Sequence, residues 1–334
     1  MFWFLYALLI SIGKGGIMQE PNIFSNNFFK DRTRMADFLN GYIYQGEPIV
    51  LPEHILEVDP VITTLWKKGS ILQAHVNVLD LARKISTEFH AVFIGIQNQT
   101  DIHYAMPVRI MSTDAAGYYG QWKAIQKENR KTHTSKNSGE FLSGFSQTDT
   151  LLPIVTIVLY YGQKPWDGAV TLKEMLNLSG CPEPLQKMIA DYPINLFEIR
   201  NYPHLDRFQT DLQVVFGFLQ NTNDKTQLVQ YVHKHKDAFS HMKEDAYDLL
   251  CAMSNTKELK ILSEQAEAQG GEYNMCKAID DLIKDSKAEG YKNAASKISA
   301  LNQALMRDQR QEELFQSFSD LKLQRKLLEE YHLT

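Results

Sequence analysis

The chain has 334 residues and a net charge of −5, which excludes a polycation built to coat nucleic acid but leaves room for a local basic face. A hydrophobic content of 44% with 22% charged residues excludes a disordered or fibrous chain and fits one large domain with an extension, or two domains. Three scattered cysteines, Cys181, Cys251 and Cys276, lack the spacing of a zinc site or a disulfide framework and read as reduced thiols of a cytoplasmic protein.

Met1 to Ile12 is apolar, aromatic-rich and uncharged. It is short for a membrane span and no basic segment precedes it. The preferred reading starts the protein at Met18 and treats residues 1–17 as a non-native or disordered extension; a signal peptide or anchor is the alternative. Asn27 to Tyr44 is the first helix, with Phe28, Met35, Phe38, Leu39 and Tyr42 forming an apolar stripe at helical spacing. Asp37 is its notable acid. Gly46, Pro48 and Pro52 punctuate a turn, and Ile49–Leu51 and Ile55–Val58 read as short strand pieces. Trp66–Ser70 reads as a loop and Ala74–Ile85 as a strand carrying Asp80.

Ala91 to Thr100 opens as a nearly unbroken apolar run, the pattern of a buried strand. It then delivers Gln97 and Gln99, two residues apart, so both amides project to one side at the strand's end. Asp80 precedes this strand at the spacing of a hairpin, which places a carboxylate beside them. Two polar side chains at the lip of a buried strand make a candidate ligand or metal site; Asp80 taken alone reads as a turn or exposed strand acid, and its hairpin spacing is what argues for the site.

His103 to Gln126 reads as a long helix with Pro107 in its first turn. His103 reads as a packing or capping residue, with a ligand or proton carrier as the alternative. Arg109 carries a fork suited to phosphate oxygens, with a surface salt bridge as the plainer alternative. From Gln121 to Lys136 stand Lys123, Lys127, Arg130, Lys131 and Lys136 against Glu128 alone, with Trp122 among them. A charge run is usually a solvated face, but this one follows the candidate site, so contact with a nucleic-acid backbone is the functional expectation. The Ser/Thr/Asn/Gly-rich sequence continuing to Gly144 reads as a mobile loop.

Leu151–Tyr161 is long, apolar and β-branched, the strongest strand signal in the chain. A turn follows over Gly162–Gly168, then a short helix over Leu172–Leu178 and a strand over Ile194–Ile199. Beyond Leu205 the pattern is helical, with candidates at Phe208–Leu219, Thr226–His235, Tyr247–Met253 and Glu258–Ala268 before a Gly270–Gly271 break. Asp280 to Glu330 reads as one or two amphipathic helices that pack on the core or pair with another copy. No P-loop, dinucleotide fingerprint, zinc cluster, nucleophilic-serine motif or internal repeat is present.

Four blocks carry a resemblance to a known family: Phe29–Gly41, Gly95–Arg109 with its His-Tyr-Ala-Met-Pro-Val-Arg run, Leu151–Gly162, and Pro165-Trp-Asp-Gly168. From about Phe29 to Cys276 the chain resembles the recombination-promoting nucleases, also called YhgA-like transposases, of the PD-(D/E)XK nuclease superfamily. The resemblance implies an α/β fold with a restriction-endonuclease-like αβββαβ core over 18–205 and a helical region over 206–334. It implies Mg²⁺ or Mn²⁺ held at Asp80, with Gln97 where the family has Glu and Gln99 where the superfamily has Lys; Asp37 is the candidate second carboxylate. The DNA contacts, read from the residues themselves, are Arg109, Lys123, Lys127, Arg130 and Lys131.

The one departure bears on activity. Replacing Glu by Gln keeps an oxygen in place and removes a full charge, which weakens a hard cation and its activation of water. Three expectations follow, in falling order: a metal-dependent DNA endonuclease promoting recombination or mobile-element movement, weakened at Gln97; a catalytically inactive relative that binds DNA or a partner through the same fold; or a structural or regulatory cytoplasmic protein without nucleic-acid contact.

Overall fold

A computed structural model describes residues 20–58, 61–68, 71–87, 91–133, 135–254 and 272–333. The expectations for residues 1–17, Glu258–Ala268 and Gly270–Gly271 lie outside that set. The described chain divides into two compact units, 1–273 and 274–334.

The first unit begins with α1 (Glu20–Phe28) and α2 (Arg32–Tyr42). Asp31 interrupts the single predicted helix: its side chain accepts from the backbone of Thr33 (2.8 Å) and Arg34 (3.4 Å) and so caps a new helix. The strands follow as β1 (Ile55–Glu57), β2 (Val61–Lys68), β3 (Ile71–Val78), β4 (Leu81–Ser86) and β5 (Ala91–Gln99). Trp66–Lys68, expected in a loop, ends β2. The predicted strand Ala74–Ile85 is two strands, because the chain bends at Leu79–Asp80. On one side of the bend β3 pairs, among the described residues, with β2 alone; on the other β4 enters the main sheet.

Next come α3 (Met106–Thr132), α4 (Ser138–Ser143), β6 (Ile154–Tyr160), α5 (Glu183–Met188) and β7 (Asn195–Glu198). The expected helix over Leu172–Leu178 is a single 3-10 turn, Lys173–Met175. Among the described residues the main sheet has the order β1-β4-β5-β6-β7, antiparallel through β5 and parallel from β5 to β7. The parallel step from β5 to β6 requires a crossover, which α3 supplies. The architecture is therefore mixed α/β, with helices on both faces of a mixed sheet.

Alternation along the strands fills the two layers. Val158 faces Met106 and Ile110 of α3, together with Ile194, Trp166 and Leu196. Phe197, next in β7, turns the other way and packs edge-on against Phe38 of α2 at 5.1 Å. Asp114 also pins α3 to the sheet, accepting from Thr156 Oγ1 and Tyr192 Oη, both at 2.5 Å.

The helices α6 (Leu212–Asn221), α7 (Lys225–Lys234), α8 (Lys236–Ser240) and α9 (Glu244–Met253), with the short pair β8 (Met242–Lys243) and β9 (Glu272–Tyr273), complete this unit. The compact body thus runs past the boundary expected at 205 as far as Tyr273. Arg34 is one of the ties that hold it together. Only 2% exposed, it spends all five donors: on Asp211 (2.8 and 2.7 Å), on Asp245 (2.5 and 3.0 Å) and on the Phe28 carbonyl (3.2 Å). Its guanidinium lies 4.2 Å from the Phe28 ring centre. One side chain ties α1, α6 and α9 to α2.

The second unit contains α10 (Met275–Arg307), α11 (Gln311–Ser317) and α12 (Leu321–Glu330). Leu301, Leu305, Leu314 and Leu327 form its core, and Arg310 bridges Glu313 and Glu330 across the turn. Among the described residues no helix is long and apolar enough to cross a membrane.

Two consequences are measurable. Arg34→Met leaves Asp211 and Asp245 facing one another beside a buried gap, and should cost about 3 kcal/mol in urea unfolding; a loss below about 1 kcal/mol would show that the clamp is dispensable. Burial raises the Asp114 pKa against the two hydroxyl donors. A carboxyl raised on folding contributes stability that is complete below its unfolded pKa and is lost as pH rises through the folded value. Melting curves should therefore favour the native protein over Asp114→Asn increasingly as pH falls, and a pH-independent difference would contradict this.

Candidate functional site

The site forms where β4 begins and β5 ends. Gly95 makes it possible: a Cβ there would meet Leu79 Cδ1 at 2.8 Å and Thr156 Oγ1 at 3.0 Å. With no side chain at 95, Leu79 packs over β5 and the next residue, Asp80, is set down against the strand's end. Its backbone N–H donates to the Ile96 carbonyl (3.1 Å). Asp80 Oδ2 accepts from Gln97 Nε2 at 2.5 Å and from the Asn98 backbone N–H at 2.7 Å. The structure thus brings Asp80 and Gln97 together, with Gln97 only 2% exposed. Gln99, half-buried, follows on the same face, opposite Tyr160 in register.

Arg109 sits in the first turns of α3, close enough for its charge to act on Asp80. Burial raises the Asp80 pKa, while the Asn98 N–H and the Arg109 charge pull it back. Burial likewise lowers the Arg109 pKa, with Asp80 opposing. Each charge is therefore the other's partial compensation. His103 lies within the same field: burial and then Arg109 depress its pKa, and its buried Nδ1 meets no partner beyond its own backbone.

Asp37 is engaged elsewhere. Its carboxylate accepts from the backbone of Gln209 (2.9 and 3.0 Å) and Thr210 (2.7 Å) and from Thr210 Oγ1 (2.6 Å), closing the loop ahead of α6. Its role in the structure is that of an anchor between α2 and α6.

The basic residues continue along α3. Lys123 is folded back, its ammonium 4.4 Å from the Trp122 ring and 5.3 Å from Tyr119, donating to Gln126 Oε1 at 3.0 Å. Lys127, Arg130 and Lys131 are exposed; Lys131 has only a loose, exposed pairing with Glu128 at 3.8 Å. Lys127 is eighteen residues beyond Arg109, about five helical turns or about 27 Å, and so shares its face.

Sequence reading missed the polar network behind the strand. Asn98 alternates to the opposite face, where Nδ2 donates to Asn26 Oδ1 (2.9 Å) and Oδ1 accepts from Ser25 Oγ (2.7 Å). Ser25 Oγ also bonds the Tyr161 hydroxyl (2.6 Å), whose pKa rises through burial. The period-two rule separates Asn98 from Gln97; nothing local identifies α1 as its partner. Beyond Gln99, a cleft of about 610 Å³ opens at the carboxyl ends of β5 and β6, lined by Asp101, Tyr104, Tyr160 and Asp167 among others.

The implied Mg²⁺ or Mn²⁺ fits these donors poorly. One carboxylate is present, its Oδ2 already takes two N–H donors, and the Arg109 charge lies beside it. Among the described residues no three His, Cys, Asp or Glu side chains gather where one ion could sit. Compared with family models, curated proteins and solved structures, the chain gives no match.

Asp80→Ala would leave the Gln97 amide and the Asn98 N–H without their acceptor. The expected cost is about 1–3 kcal/mol in urea unfolding, and an unchanged midpoint would show that water or another group replaces the carboxylate.

Proposed function

We propose that this chain is a DNA-binding protein on a restriction-endonuclease-like αβββαβ core, with a hydrolytic centre closed by its own amide. The observation that carries this reading is the 2.5 Å hydrogen bond from Gln97 Nε2 to Asp80. An ionised carboxylate has only acceptors, so the amide must turn its N–H toward it. In that orientation Gln97 offers no oxygen to a cation on that side and occupies the oxygen Asp80 would use. The element order supports the fold assignment: α2, then the antiparallel β1, β4 and β5, then α3 crossing over to the parallel β6. Asp80 opens the second of those three strands, and Gln97 and Gln99 close the third.

DNA would be held through charge. Arg109 lies at the site, Lys127, Arg130 and Lys131 extend its face along α3, and Lys123 adds charge beside Trp122. Cations neutralising phosphates release counterions, so binding of this kind weakens as salt rises.

A second reading is the metal-dependent endonuclease promoting recombination or mobile-element movement, with cleavage weakened by Gln97. Asp80 favours it, because a carboxylate persists beside Gln99 and Arg109 despite the cost of burying it.

Cleavage of supercoiled plasmid separates the two. On the first reading the native protein retards plasmid in a gel without nicking it under Mg²⁺ or Mn²⁺, and Gln97→Glu restores cation-dependent nicking. Nicking by the native protein that Asp80→Ala abolishes would establish the second. Failure of the folded protein to bind plasmid at low salt would overturn both.

A further inference from the structure

Asp80, Gln97 and Gln99 do not line the cleft at the carboxyl ends of β5 and β6, which therefore stands apart from the centre already described. Three parallel strands release their chain into it. Asp101 and Tyr104 follow β5, Lys164 and Asp167 follow β6, and Arg200 follows β7. In sheets with parallel strands the crevice outside the carboxyl ends is the usual seat of a ligand.

The floor of the cleft is firmly built. A Cβ at Gly162 would lie 2.1 Å from Tyr160 Cζ, so the glycine lets the Tyr160 ring fold back over it. There the hydroxyl donates to the Lys164 carbonyl (2.9 Å), and the ring packs edge-to-face with Trp166 at 5.2 Å. The Trp166 backbone N–H donates to Glu198 of β7 (3.0 Å). Arg200 braces the back: Nε donates to the Tyr161 carbonyl (2.9 Å), Nη2 to the Met253 carbonyl (3.1 Å), and Nη1 to the Leu219 carbonyl and the Thr222 hydroxyl. Four of its five donors thus serve the scaffold and not a ligand.

What faces the opening is acidic and aromatic. Asp101 is exposed and has no hydrogen-bond or ion-pair partner among the described residues. Asp167, on the facing loop, accepts from the Tyr104 hydroxyl, a bond that pins a 64%-exposed ring at the mouth. Burial and then the charges of Glu198, Asp101 and Asp167 push the Tyr160 hydroxyl up, with Arg200 opposing. The fields of these carboxylates therefore converge on the cleft. Lys164 is the counter-charge at the exposed rim.

We propose that this cleft binds an aliphatic polyamine, with ammonium groups taken by Asp101 and Asp167 and a methylene stem laid along the Tyr104 ring. Ionised carboxylates are acceptors only, and an ammonium brings three donors in charge-assisted hydrogen bonds. A cation beside a tyrosine face gains further from the ring. Carboxylates on two separate loops call for two ammonium groups on one flexible chain. An anion would meet the same carboxylates as repulsion. A hard divalent ion wants more of them in one place, and among the described residues no three acidic, His or Cys side chains gather. Binding of this kind needs no DNA, so its failure would leave the DNA reading untouched.

The test is isothermal titration calorimetry on the full chain, without DNA and at physiological salt so that loose surface attraction is screened. The ligands are spermidine, Mg²⁺ and glutamate. Spermidine should give saturable heat for one site and raise the melting temperature; Mg²⁺ and glutamate should do neither. Asp101→Asn with Asp167→Asn should weaken spermidine binding by about tenfold or more, with the ligand-free melting temperature unchanged because both side chains are exposed. Tyr104→Leu, which leaves the charge as it is, should weaken binding severalfold and so separates the ring from the bare field. Lys164→Gln should tighten binding, and this arm tests the site even if the double variant is unstable. Absence of saturable spermidine binding, undiminished binding by the Asn variant, or displacement by Mg²⁺ at equal concentration would overturn the proposal, as would binding of glutamate in place of spermidine.

Discussion

Strand β5 imposes the constraint on which the rest of the first unit depends. It has an antiparallel neighbour on one edge, a parallel neighbour on the other, and helices over both faces. Such a strand is normally apolar throughout, and any polar side chain on it has to be paired within the protein. Its carboxyl end nevertheless carries Gln97 and Asn98, both almost wholly buried. Alternation sends them to opposite faces, so each recruits a different part of the chain. Gln97 draws in Asp80 and with it the bend that starts β4; Asn98 draws in Asn26 and Ser25 and with them α1. The strand end is thus the point where the hairpin, the first helix and, through the field of Arg109, the crossover helix are all fixed relative to one another.

What the sequence discloses is governed by range. Pro107, the apolar run 151–161 and the two-residue spacing of Gln97 and Gln99 act within a few residues, and α3, β6 and a shared face result. The juxtaposition of Asp80 with Gln97 was also legible, because a hairpin is a local device. The bend at Leu79–Asp80 was not, since it depends on Gly95 across the sheet having no side chain for Leu79 to strike. Asp37 illustrates the same limit. Its donors are 172 and 173 positions away, and a helical acid reads alike whether it ends as a metal ligand or as an anchor. Arg34, whose partners are 177 and 211 positions off, gave no local sign that α6 and α9 belong to the body of the sheet rather than to a C-terminal region.

The Ser/Thr/Asn/Gly-rich sequence up to Gly144, expected to be a mobile loop, contains the helix α4 and shows how composition misleads. Ser, Gly and Asn between Asn137 and Gly144 are turn formers, and turn formers are common in flexible segments. Here Asn137 caps, the Ser143 carbonyl accepts from Gln126, and Gly144 adopts the left-handed backbone where a side chain would strike Gln126. Order in such a segment comes from the buried Glu140 and the side chains of α3 that reach over to it.

Gln97 puts an amide, and not a second carboxylate, against Asp80. Two buried carboxylates in contact repel and need a cation to hold them together. One carboxylate with an amide donor, a backbone donor and a nearby guanidinium does not. Its negative charge is balanced from within, so the fold no longer depends on an ion to close the end of β5. A centre that is self-satisfied in this way is rigid, and α3 transmits that rigidity. The helix is anchored at its amino end by Ile110, Met106 and Asp114 against the sheet and extends for 27 residues, about 40 Å at the helical rise. The position of Lys127 and Arg130 is thereby set by contacts made several turns away.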